Sequence, residues 1–313
     1  DLKMNALCAK IGRVFKTENG ALRPAWRTIF GVIAYFAAFY VVLYGLAAIF
    51  GALFDAWGLT NDNLALAPNW ARRIVYSHTD FCYAAAYLVS SGAGLWIARR
   101  NEKARRSLKA IWIAMGIGLA MSAGLTLIAF AMDSVRLERP LGEPHFSVQT
   151  LIAFFLIAIG KFSHEVLCRR LIYAQLRAWK ASAVLVSSAV TAILIGEWTV
   201  CGAISGILVG MVACALYERG GLIASAAMQT VWTAWCALVF GFPGMNVNAN
   251  PVYAVYHVSD AWLTGGNGSV LGGAWCALVA AIACIILYRT PIQNGIARLK
   301  ARCVNIRGGR GTK

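Results

Sequence analysis

The chain has 313 residues, of which 59% are hydrophobic and only 13% charged, and its formal net charge is +16. Soluble domains carry about a quarter charged residues, so this composition, with a mean hydropathy of +0.64, excludes an ordinary soluble enzyme. The placement of the positive charge, described below, also excludes a nucleic-acid partner.

The chain opens on a basic segment, 1–27, that begins at Asp1 rather than Met. Within it Leu7, Ile11, Val14 and Phe15 share one helical face, with Lys3, Lys10, Arg13 and Lys16 elsewhere. That pattern suits an amphipathic helix in the cytoplasmic interface, and a frayed basic tail fits equally well. No cleavable leader is read, because the first apolar run is too long and starts too late. Eight apolar blocks follow, at about 28–53, 81–98, 110–132, 148–172, 181–200, 202–217, 221–241 and 269–288. Each approaches the ~20 residues that a helix needs to cross a hydrocarbon core of roughly 30 Å. The expected fold is all-α: a polytopic transmembrane helix bundle of about eight helices, forming one membrane domain over 1–313. Three helices occupy 28–147, four closely joined ones 148–241, and the last precedes a basic tail at 289–313.

Most of the 29 Lys and Arg residues fall in alternate junctions: 1–27, 99–109, 169–180, Arg219 and the tail. The intervening loops hold only Arg72, Arg73, Arg136 and Arg139, against acids such as Asp55, Asp62, Asp80, Asp133, Glu138, Glu143 and Asp260. The positive-inside rule then puts both termini in the cytoplasm, with a bacterial inner membrane as the expected location. The expected partners are membrane lipids with anionic headgroups at the cytoplasmic face, and further membrane-protein subunits. Cys168, Cys214, Cys236, Cys276 and Cys284 lie in helices and read as small hydrophobes. No disulfide is expected, although Cys82 and Cys201 both approach the outer face. The outer loop 242–268, with Tyr253, Tyr256 and Trp262, has the composition of an interfacial cap. Gly202, Gly206 and Gly210 put three small residues on one face of the sixth helix, as close helix packing needs.

Ionisable residues inside the bilayer are costly and point to function. The fourth helix carries Lys161, His164, Glu165 and Arg169. Glu165 and Arg169 are spaced i, i+4 and can pair, and Lys161 can reach Glu165 from one turn away. The hairpin between the fourth and fifth helices turns near Lys180, which puts His164 and Glu197 at a common depth, roughly 24 Å from the turn. His and Glu are residue types for proton transfer or metal binding, so these two read as one site, with any metal or cofactor left open. Gln229 and Thr233 add polar groups on the seventh helix. His78, His145 and His257 fall in outer loops and read as solvated.

The stretch from Ser163 to Leu176 resembles the first motif, Glu-Glu-x-x-x-Arg, of the CAAX-protease and bacteriocin-processing (CPBP, or Abi) family of intramembrane proteases. His164 stands at the first Glu, Glu165 at the second and Arg169 at the Arg. The second motif, Phe-x-x-x-His, falls on Ile193 to Glu197, and the third, His-x-x-x-Asn/Asp, on Gln229 to Thr233. The Gly-rich run from Gly206 to Leu222 is similar to the family's sixth helix. The resemblance covers about 148–240. It implies a core of the fourth to seventh helices around a cytoplasm-accessible cavity, where a Glu and a His activate water against a peptide bond and the third motif stabilises the oxyanion.

Four of those positions depart from the pattern: His164, Glu197, Gln229 and Thr233. The first two changes are reciprocal, so a Glu–His pair with exchanged partners could still serve as a general base. Gln229 could still donate to an oxyanion. Two readings follow, an intramembrane endopeptidase using the exchanged His164/Glu197 pair, and a pseudoenzyme acting as an accessory or scaffold subunit. The four departures weigh slightly towards the second. A proton-coupled transporter is a weaker third, since no inverted repeat is visible.

Overall fold

The computed structural model describes residues 23–59, 64, 67–98, 107–138, 144, 146–196, 198–242, 245, 251–258, 260–265 and 269–289. The basic segment 2–16, the loop 99–106, His145 and nearly all of the tail lie outside them. So does Glu197.

Local chemistry sets the helix boundaries. Helix α1 (Pro24–Ala56) starts with proline at its first position, where the missing N–H costs nothing. Helix α2 spans Asn69–Ile97. Helix α3 (Leu108–Ala131) is capped by the Ser107 hydroxyl, which accepts from Ala110 N. Ser147 caps α4 (Val148–Trp179) in the same way, accepting from Thr150 N. Lys180 turns the chain with φ 46°, and α5 (Ala181–Ile195) ends at Gly196 in the left-handed conformation. Thr199 then caps the run Val200–Val239, which breaks at Gly221 (φ 77°, ψ −168°) into α6 (200–220) and α7 (222–239). Helix α8 spans Ala274–Arg289.

The chain reverses at Gly221. Cys214 and Gln229 both contact the same Glu165–Arg169 pair, whereas a straight helix would hold them roughly 22 Å apart. Four described runs are long and apolar enough to cross a membrane: α1, α3, α4 and the α6–α7 run. Helices α5 and α8 are apolar but shorter. The architecture is the expected all-α polytopic bundle.

Among the boundaries that differ from the sequence reading, two bear on the candidate residues. Helix α2 begins three turns earlier than the apolar block at 81, so Arg72, Arg73, His78 and Asp80 lie on it. Apolar periodicity misses such a polar extension at the headgroup level. His78 is therefore not a solvated loop residue: it lies in α2, its ring edge-on to Phe54 and bonded to Val75 O. Helix α5 stops at Ile195 rather than 200, because Gly196 takes the left-handed cap.

The larger core joins α3, α6, α7 and α8 through Met121, Leu125, Val209, Met228, Trp232 and Ala280. A second joins α1, α4 and α5 through Tyr35, Leu167, Leu171 and Ala183. Small residues allow backbone-to-backbone approach: a Cβ on Gly206 would lie 2.6 Å from Ala192 Cα, and one on Gly210 2.7 Å from Ser188 Cα. The small-residue face of α6 thus packs on α5. At the far end, β1 (Val135–Leu137) pairs antiparallel with β2 (Val255–His257). These two strands belong to loops that the charge pattern puts on one side of the membrane, the outside. Two three-residue strands are too short to signal in sequence.

Candidate functional site

Glu165 and Arg169 form a buried ion pair at the centre of four helices. Arg169 Nε donates to Glu165 Oε2 at 3.1 Å, and Gln229 Nε2 donates to Oε1 at 2.8 Å. Both carboxylate oxygens are thus engaged by the protein, and both charged residues have 0% exposure. Arg169 Nη2 donates to Thr191 Oγ1 (3.0 Å), and Nη1 donates to Cys214 Sγ (3.3 Å) and Ser187 Oγ. Ser187 donates on to Cys168 O (2.7 Å), and Thr191 to Ser187 O (3.0 Å). Burial of an ionic pair is tolerated only when such bonds satisfy the remaining donors and acceptors.

The local helix geometry helps to place this network. From Val166 to Tyr173, α4 widens into π-helical turns, a rare form that often marks functional sites. Around it α1, α2, α5, α6 and α7 close on every side, so all residues from Val166 to Leu176 except Arg170 are buried. Ser163, just before, bonds Tyr35 Oη (2.7 Å), Ser90 Oγ (3.4 Å) and Tyr87 O (3.0 Å), which ties α4 to α1 and α2.

His164 lies outside this network. Its ring meets the Tyr87 ring edge-on at 5.4 Å and lines an open cavity of ≈ 1330 Å³. The cavity is a slot between α2 and α4. These helices run parallel and touch where Tyr87, Ser90 and Gly94 meet Gly160, Ser163 and Val166. They diverge towards Arg73 and Val148. Lys161, His164 and Thr233 line its floor. The ends of α5 (Leu194, Ile195) and the residues Met245, Ser269 and Leu271 close its back. The Thr233 hydroxyl is buried with no hydrogen-bond partner among the described residues.

The candidate residues therefore divide. Glu165, Arg169 and Gln229 meet in a closed network, while His164 and Thr233 share an open cavity. Lys161 forms no ion pair with Glu165, as the sequence had allowed: it lines the cavity. The cavity opens towards the β1–β2 end, which the charge pattern puts outside. The family resemblance had implied an opening to the cytoplasm. Ser187, Thr191 and Cys214 were missed. The i, i+4 spacing of Ser187 and Thr191 on a helix was the available signal, and Cys214 serves as an acceptor as well as a small hydrophobe. Among the described residues, no three His, Cys, Asp or Glu side chains stand close enough to share a metal ion. Residues 146–235 match the family of type II CAAX prenyl endopeptidase Rce1-like proteins. No curated protein and no solved structure matches the chain.

Proposed function

Because residues 146–235 carry a CPBP-family, Rce1-like domain, we propose that this integral membrane protein is a catalytically silent relative of the CAAX proteases. It serves as an accessory or scaffold subunit of a complex in a bacterial cytoplasmic membrane, and its family motif holds helices together. One observation carries the reading: both Glu165 oxygens are bonded to protein donors within a fully buried pair. A general base has to reach a water or substrate proton, and this carboxylate is fully buried with each oxygen already accepting from a protein donor. A second reading, an active endopeptidase using the exchanged His164/Glu197 pair, draws support from His164 lining an open cavity beside the unpartnered Thr233 hydroxyl.

The test incubates the full chain, in lipid nanodiscs, with a quenched membrane-peptide library, alongside Glu165→Gln and Glu197→Gln. The expected result is no cleavage by any of the three, with a stable partner subunit retained on native purification. Cleavage by the wild type that either substitution abolishes overturns the silent reading in favour of the second.

A further inference from the structure

The slot has a floor chemically unlike its walls. Its volume, ≈ 1330 Å³, exceeds the ~300–1,000 Å³ of typical ligand pockets. Ile152, Leu156, Ile157 and Tyr83 make the walls apolar. At the floor, Lys161 forms no ion pair among the described residues, and the Thr233 hydroxyl, on a residue only 7% exposed, is buried without a partner. Unsatisfied polar groups at this depth are costly, and a bound anion would relieve that cost. Of the other charged groups lining the slot, Asp80 lies two turns nearer the mouth than Tyr87, and Arg73 two turns further out again. The cations thus outnumber the one carboxylate, and the deepest charge is Lys161.

We propose that this slot binds an anionic amphiphile, a long-chain carboxylic acid. Its head reaches Lys161, with Thr233 and His164 beside it, and its tail lies along Ile152, Leu156 and Tyr83. The rim residues Tyr76, Tyr83, Val148 and Ile152 are exposed along both helices, so a tail can enter sideways from the lipid. Lys161 stands 13 residues into α4, roughly 20 Å below the mouth, deeper than a phospholipid headgroup sits. To reach that depth a phospholipid would have to draw its glycerol and both chains into the slot, whereas a single-chain acid brings only a carboxylate and one tail. The inference does not depend on whether the family motif is catalytic.

The test uses the full chain in nanodiscs of zwitterionic lipid and measures binding of tritiated oleate. Oleate is expected to bind saturably, methyl oleate to compete about tenfold more weakly, and Lys161→Met to lose about tenfold in affinity. Lys161→Arg should retain binding, and phosphatidylglycerol should not displace the oleate. Equal competition by methyl oleate overturns the proposal, as does wild-type affinity in Lys161→Met. Displacement by phosphatidylglycerol as effective as by oleate overturns the single-chain assignment. The ester comparison uses wild-type protein alone, so it discriminates even if a variant fails to fold.

Discussion

Glu165 and His164 are sequence neighbours that inhabit opposite environments. Glu165 is sealed among protein donors, while His164 faces an open slot. Helix α7 repeats the division one turn apart: Gln229 bonds the carboxylate and Thr233 faces the slot. Successive residues on a helix point about 100° apart, so two adjacent motif positions need not build one site. A motif matched by spacing can therefore be split by a wall of packed side chains.

The largest effect should come from breaking the closed side. Arg169→Met leaves Glu165 buried and unpaired, which is expected to cost about 3–5 kcal/mol. Unfolding in bicelles, read by a steric trap, measures it. Adding Glu165→Met should restore most of the loss, because the stranded charge goes with it. If the single variant is as stable as wild type, water reaches the pair and the two regions are alike.

Behind that wall the helices touch backbone to backbone. A Cβ on Gly118 would lie 2.5 Å from the Met228 carbonyl oxygen, so Gly118→Leu should cost about 1–3 kcal/mol by overpacking. The same unfolding assay reads it. On the open side, His164→Phe preserves the aromatic contact with Tyr87 and strands no partner. Its cost should stay within about 0.5 kcal/mol.

The smallest effect concerns the β1–β2 sheet. Burial holds His257 below its ordinary value of 6.5, and neither ring nitrogen has a partner among the described residues. The neutral ring is the form the fold accepts. Stability from this residue is therefore present above about pH 6.5 and falls as pH drops towards the folded value. Thermal unfolding between pH 7.5 and 5, ranges set about the ordinary His value, should show that slope in the wild type and a shallower one in His257→Gln.

Much of the bundle was legible in the sequence because apolar runs and alternating charge are direct consequences of a bilayer. The eight helices, the turn at Lys180 and the Glu165–Arg169 pair all follow from local spacing. The early start of α2 was hidden by its polar outer turns. The Ser187, Thr191 and Cys214 contacts to Arg169 were hidden because they join residues far apart in the chain, which periodicity does not register. Lys161 was misplaced for a related reason: i, i+4 spacing allows two side chains to meet, but packing decides whether they do.

The contrast between the closed and open regions can be measured directly with thiols. Cys214 already lies 3.3 Å from Arg169 in the closed network. One variant keeps Cys214 as its sole cysteine, and another carries only His164→Cys. A membrane-impermeant thiol reagent added from outside should modify position 164 readily and leave Cys214 unmodified until the protein unfolds. Modification of Cys214 at a rate matching position 164 would show that water enters the Glu165–Arg169 network, and would contradict the account.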